Sequence, residues 1–465
     1  MKTNKEQLGT DPAVFLYSCR KAHNIILGLI IWERISMKYA YRNGIILDGT
    51  ENMEPLTGTA VLTDGEIIEN LVKDYEVPSE YEIVDLQGGY LLPGLINLHV
   101  HLATSGKPPK SSEKQTDYTK LYQLLTSGTL IQAGAKKVLE GYLKTELLSG
   151  VTTIRTVGGV LDFDARLRDE VNHGKLTGPR MYVSNMAISV PGGHFAGSIA
   201  TVSSSVEEVV ANVRKIAETH PDLIKLMITG GVMDSSDEGE PGVLRMPAEY
   251  VKAACEEAHK LGFKVAAHVE GTEGLRTALE NGVDSIEHGA HTDPEIVRLF
   301  QERGAVEVCT FSPFIPYALF DISESHCVPA AVKNGQIVID GIVECTKTCL
   351  ANGIPVGLGS DVGCPFIVHY NFWRELCYFR KYIGVSNRET LYTATLNNAK
   401  ILGADHITGS IEKGKSADMI IVRRNPLEDL RALRDVSMVI FRGKQHRKPK
   451  VKKMKEIDTL LDKYM

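Results

Sequence analysis

No two cysteines in this 465-residue chain are spaced CxxC, and all eight are scattered. That leaves no disulfide framework or redox pair to account for, and it suits reduced thiols in a cytoplasmic enzyme, the expected location. Nor does any apolar run approach the roughly 18 to 20 residues that cross a bilayer, so a membrane role is not expected. Positive charge is not in excess either. With 52 Lys and Arg against 58 Asp and Glu, the net charge of −6 removes the electrostatic case for nucleic acid. What remains, at 43% apolar and 24% charged residues, is the composition of an ordinary globular protein. The length exceeds that at which single cores stop growing, which predicts two domains or one large barrel with an appendage.

The first 36 residues stand apart. The run "IILGLIIW" (Ile25 to Trp32) is short, lies late and lacks a small-residue cleavage site, so it is not read as a secretory signal. A complete domain start follows at Met37, "MKYAYRNGIILDG", which marks residues 1–36 as a non-essential extension. From Tyr39 to Val84, β-type runs alternate with turns every eight to twelve residues, and the pattern returns in "GSIEKGKSADMIIVRRNPL" and "VSMVIFRGK". Segments 37–93 and 407–445 are therefore expected to build one composite β-sandwich. Residues 446–465 form a basic tail, read as a solvated end or subunit contact.

The middle, 94–406, alternates eight strand-like runs with helical stretches such as "AEYVKAACEEAHKLG" (Ala248 to Gly262). Eight such units argue for a (β/α)8 barrel, an α/β fold whose sites lie at the carboxyl ends of the strands. A doubly wound open sheet is the competing architecture, but it would gather polar residues at one switch point.

Here polar residues mark most strand ends. In "LLPGLINLHVH", His99 and His101 sit two apart, so a strand projects both imidazoles to one side, as a metal ion would require. Strand five ends at His268, strand six offers His288, and strand eight ends at Asp361 in "GLGSDVG". Lys225 lies among Leu223, Ile224, Leu226 and Met227. An ammonium there is costly unless neutralised, and a desolvated neutral amine can react with carbon dioxide to give a carbamate, a bidentate anionic ligand.

These motifs resemble the amidohydrolase superfamily, in its branch of binuclear prolidase-like and arginine-carboxypeptidase-like peptidases, related to imidazolonepropionase-type proteins. The likeness runs from Met37 to about Lys444. It includes "PGLINLHVHL", "GPRMYVSNMAISVPGGH", "IKLMITGGVM", "AAHVEG", "SIEHGA", "GLGSDVGCPFIVHYNFWREL" and "ATLNNAKILGADHITGSIEKGKSADMIIVRRNPLED". The resemblance implies two divalent metal ions, zinc being expected. His99, His101 and Asp361 would hold the more buried ion and His268 and His288 the second, with carbamylated Lys225 bridging. It further implies a metal-lowered water pKa, a polarised amide carbonyl, and Asp361 acting first as base and then as acid. His194 in "PGGHFAG" is similar to a family histidine that contacts the substrate, and His369 to a pocket-side position. Arg155 on strand two either meets a substrate carboxylate or forms an ion pair inside the barrel. His291 is read as structural.

The chain departs from the pattern at Asn97 and Thr156, which stand where aspartate and an acidic residue are usual; altered hydrogen bonds around the ligands are expected, not lost ligands. Val269 replaces a tyrosine that helps bind the substrate carboxylate in dipeptidase relatives, which weighs against proline dipeptides. The acidic run "DSSDEGE" (Asp234 to Glu240) is read as an exposed loop before a binder of cationic substrates. The expected activity is hydrolysis of a small dipeptide or N-acyl amino acid by a homo-oligomer. The alternatives are a mononuclear deaminase or cyclic-amide hydrolase, against which Glu270 falls two and not three residues after His268, and a non-catalytic binding protein on the same barrel. A chain that begins at Met37 is expected to keep full activity, measured as turnover beside the longer chain; loss of folding would overturn the reading of residues 1–36.

Overall fold

The computed structural model describes residues 37–108, 117–234 and 239–465; the proposed N-terminal extension lies outside them. Eight strands follow the order read from the sequence: Leu95–Val100, Val151–Thr156, Arg180–Val183, Leu223–Met227, Lys264–Val269, Ser285–His288, Val306–Cys309 and Val356–Leu358. Neighbours pair in parallel, for example Lys225 with Ala266 and His268 with Glu287. Strand eight returns to strand one through Asp361 N–H to the His99 carbonyl and His101 N–H to the Val362 carbonyl, each 2.9 Å. This closure makes the sheet a barrel and puts the strand ends around a common mouth.

The local sequence explains these elements. Leu95–Val100, Val151–Thr156 and Leu223–Met227 are buried along their whole length, as parallel strands covered on both faces must be, and the first and third are mostly apolar. Between the eight strands lie amphipathic helices such as Ala248–Lys260, whose Val251, Ala254, Cys255 and Ala258 face the core. That helix ends at Lys260, two residues before Gly262, which has φ of 86°. The third strand of the sequence reading is interrupted, because Asn185 adopts φ of 55° and the chain resumes as Ala187–Ser189.

Both ends of the described chain build one β-sandwich. One sheet orders Ile67–Lys73, Thr59–Asp64, Lys38–Arg42 and Glu82–Asp85. The other joins Tyr90–Pro93 antiparallel to Met419–Val422 and carries Val436–Phe441 and Lys444–Arg447 beyond it. Tyr41, Val61, Ile68, Leu91, Met419 and Ile440 fill the space between them. No helix among the described residues is long and apolar enough to cross a membrane.

The basic tail differs from the expected solvated end. Lys455–Asp462 forms a helix that buries Ile457 and Leu461 against the barrel. Its anchor is Arg374, only 1% exposed, which reaches Asp458 at 3.1 Å and Asp462 at 2.7 Å and lies over the Trp373 ring. The lysines made the segment look solvated, but its apolar residues recur at helical spacing. Arg374→Ala leaves Asp458 with Arg434, 3.9 Å away, as its remaining cation and is expected to cost up to about 3 kcal/mol, read as a lower melting temperature with the barrel's circular dichroism retained below it.

Candidate active site

A buried imidazole favours its neutral form, and a neutral imidazole has a lone pair to offer. The four histidines at the mouth meet that condition: His99, His268 and His288 are at most 3% exposed and His101 is 7% exposed. Burial pushes His99 down to about 4 and holds His268 and His288 well below the usual imidazole range. Hydrogen bonds then select the nitrogen that faces inward. His101 Nδ1–H donates to the Gly158 carbonyl at 2.9 Å and His99 Nδ1–H to the Glu287 carboxylate at 2.8 Å, leaving each Nε2 free. His288 Nδ1 is taken by the Thr310 hydroxyl at 2.7 Å.

The free atoms converge. Asp361 Oδ1 lies 3.2 Å from His101 Nε2 and 3.5 Å from His99 Nε2. Single donor atoms of His99, His288 and Asp361 fall within 4.8 Å of one another, as do those of His268, Glu270 and His288. His99, His101, Lys225, His268, His288 and Asp361 all border one chamber of about 10 Å³. Lys225 Nζ, His268 Nε2 and Asp361 Oδ1 are buried there with no hydrogen-bond partner. Burial lowers Lys225 to about 8, so its amine can lose its proton. Burial alone would raise the Asp361 carboxyl, but the imidazoles of His99, His101 and His288 hold it well below the usual carboxylate range. Neutral nitrogens, an ionised carboxylate and unpaired buried atoms around a small space fit a divalent metal centre.

Two of the chamber's side chains sit on strained backbone. His288 has φ of 74° and Asp361 φ of 52°, left-handed values that cost side-chain-bearing residues roughly 1 to 3 kcal/mol each. At Gly359 any Cβ would come within 2.4 Å of the His99 Cβ, so the approach of strand eight to strand one needs glycine. Asn97 reinforces the same seam: its Oδ1 accepts from Ser360 N–H at 3.0 Å and its Nδ2 donates to Ser360 Oγ at 2.8 Å.

The chamber opens into a cavity of about 420 Å³. His194 lines it, stacked on His268 with centroids 4.2 Å apart and its Nδ1 held by Asp234. Glu270 lines it too, and burial, with Asp234 and Asp361 nearby, raises its carboxyl well above the usual range. Tyr118, Phe195, Phe314 and Tyr317 form apolar walls.

Two expected substrate contacts are corrected. His369 does not border the cavity; Glu146 at 3.0 Å and the Thr104 carbonyl at 2.9 Å occupy its two nitrogens, and its ring stacks on Tyr142. Arg155 also lies away from the cavity, and its guanidinium is spent on both oxygens of Glu287, on Ser285 and on the Leu98 carbonyl. Of its two sequence readings, the barrel-interior ion pair is the one observed. His291 pairs with Glu344 at the surface, in keeping with a structural role. The sequence reading passed over Glu287, although a carboxylate in the buried strand "SIEH", beside His288, was a signal of a buried partner. Tyr118 and Tyr317 gave no comparable signal, because they arrive on two short helices far apart in the chain, Tyr118–Thr126 and Phe314–Leu319.

The comparisons agree with this geometry. The Amidohydrolase family model matches residues 90–446. The ochratoxinase of Aspergillus niger is 26% identical over 439 residues, covering 87% of this chain and 85% of its own. The imidazolonepropionase of Symbiobacterium thermophilum is 23% identical over 397 residues, covering 78% and 83%. Among solved structures, a proposed prolidase from Bifidobacterium longum superposes with a TM-score of 0.80 at 33% identity, covering 92% of this chain and 99% of that one. A Xaa-Pro dipeptidase with bound methionine gives 0.75 at 28% identity, covering 88% and 100%. A barrel with imidazoles and an aspartate gathered at its mouth, matched by the family model over most of its length, belongs to the amidohydrolase family and is a hydrolase.

Proposed function

We propose that the protein hydrolyses the amide bond of a small dipeptide or N-acyl amino acid at a centre of two divalent ions, zinc being the expected metal. The observation that carries this reading is the set of six side chains around one small chamber, three with buried atoms left unpaired. His99, His101 and Asp361 would hold one ion and His268 and His288 the other. Lys225, carbamylated by carbon dioxide, would bridge them; a buried amine lowered to about 8 supports that chemistry, since only the neutral amine attacks carbon dioxide. Bound there, divalent ions supply Lewis acidity to a carbonyl and acidify water.

The chain's own residues do the rest. Asp361 borders both the chamber and the cavity, so one carboxylate can take the proton of the attacking water and deliver it to the leaving nitrogen. His194, fixed by Asp234, presents its ring at the cavity wall, where it can orient the substrate carbonyl or carboxylate. The aromatic wall and limited volume favour a small substrate with an apolar part. Structural relatives described as a Xaa-Pro dipeptidase and as a prolidase with bound N-methylphosphonate-L-proline support the dipeptide class. Val269 argues against a strict proline requirement.

Metal content per chain, measured on protein purified with bicarbonate, is expected to be two and to fall in Lys225→Ala. A single metal unaffected by the substitution would instead support the mononuclear deaminase or ring-opening reading, for which imidazolonepropionase relatives are the precedent. Asp361→Asn is expected to lower kcat by about 10² to 10⁴ with little change in KM, measured on dipeptides with basic, apolar and proline C-termini and on N-acyl amino acids. Near-normal turnover would remove Asp361 from the proton path.

A further inference from the structure

Outside the catalytic mouth, one further group of side chains shows the same combination of burial, converging donors and an unpaired oxygen. Glu307 belongs to the seventh strand and is fully buried. It points outward to the helix Pro329–Ala351, where Thr346 Oγ1–H donates to its Oε1 at 2.8 Å. Its Oε2 has no hydrogen-bond partner. Cys345 and Cys349, at most 1% exposed, stand one turn apart on the same face of that helix. One donor atom from each of Glu307, Cys345 and Cys349 lies within 4.8 Å of the other two.

We propose that Glu307, Cys345 and Cys349 form a second metal site that takes a thiophilic divalent cation of the zinc and cadmium class. A carboxylate sealed between a strand and a helix with an open lone pair is expensive unless something answers it. The groups around it are thiols and a hydroxyl, not cations; burial consequently pushes the Glu307 carboxyl up to about 8, outweighing the lowering effect of the neighbouring hydroxyl and thiols. Two sulfurs with one carboxylate oxygen are a soft-leaning donor set, which selects zinc or cadmium over magnesium or calcium. Bonds of roughly 2.3 Å to sulfur and 2.0 to 2.2 Å to oxygen put tetrahedral donors about 3.5 to 3.8 Å apart. Donors already this close need to move by only about 1 Å. On binding, each ligating thiol and the Glu307 carboxyl give their protons to solvent, and the three ligands fasten the seventh strand to its helix. The site lies behind the catalytic mouth. A Cβ on Gly289, the residue after His288, would come within 3.0 Å of Glu307 Oε1 and 3.2 Å of the Cys345 Cβ.

The test is cadmium titration of the full chain, followed by the ultraviolet thiolate-to-cadmium charge-transfer band. The six catalytic ligands include no thiol, so the band is independent of the proposed amide chemistry; Cys364, which borders the catalytic cavity, is controlled by Cys364→Ser. In protein already loaded with its two catalytic ions, the expected result is a band that saturates at one further cadmium per chain in the parent and in Cys364→Ser and vanishes in Cys345→Ser and Cys349→Ser. In Glu307→Gln, which keeps both thiols, the titration should shift to at least about tenfold higher cadmium. Far-ultraviolet circular dichroism on the same samples separates loss of the site from loss of the fold. No band in the parent, a band that survives both serine variants or disappears with Cys364, or an unshifted Glu307→Gln titration would overturn the assignment.

Discussion

Glu287 is fully buried in the barrel and stays ionised because Arg155 binds both its oxygens at 2.7 Å, holding a carboxylate that burial alone would raise well below its usual range. The pair is worth having there for what each partner does next. Glu287 accepts from His99 Nδ1, which fixes the tautomer and turns Nε2 to the chamber. Arg155 Nε–H donates to the Leu98 carbonyl at 2.7 Å, so the guanidinium clamps the strand that carries His99 and His101. One ion pair thereby locks strands one, two and six together at the depth where the chamber's histidines emerge. Removing either partner would strand a charge in the barrel, which is why such pairs behave as all or nothing.

The opposite side of the mouth depends on closure. Strand eight meets strand one without a bulky residue between them, since Gly359 lies against His99 and Asn97 ties both strands through Ser360. Directly beyond this seam the backbone turns left-handed at Asp361, and the same happens at His288 on strand six. Both turns are unfavourable in isolation, and the surrounding barrel holds them. They re-aim two side chains that an ordinary strand end would have pointed elsewhere. The chamber is thus assembled from strand ends, two of which, at His288 and Asp361, turn left-handed.

Around the chamber, charge is distributed unevenly. Asp234, Glu270 and Asp361 border the cavity, where the described cations amount to the exposed Lys107. With burial raising Glu270 well above the usual carboxylate range, the ionised carboxylates at the mouth are Asp234, already paired to His194, and Asp361.

Much of this was legible without coordinates because it rests on short-range pattern. Parallel strands covered on both faces must be apolar, so a histidine, lysine or aspartate at their ends stands out, and His99, His101, Lys225, His268, His288 and Asp361 could be read from position alone. The eight-unit alternation gave the barrel by the same logic. Where the reading went astray or left two alternatives open, the deciding contact spans a long sequence distance. His369 meets Glu146, 223 residues away, Arg155 meets Glu287, 132 residues away, and the lysine-rich tail folds back as a helix onto Arg374. The walls contributed by Tyr118 and Tyr317 belong to the same class. By itself the sequence determined which side chains stand at the strand ends, since strand alternation is local. Only the tertiary structure decided which of the remaining polar groups face substrate space and which are consumed by each other, because a buried charge takes whichever partner the closed barrel brings within reach.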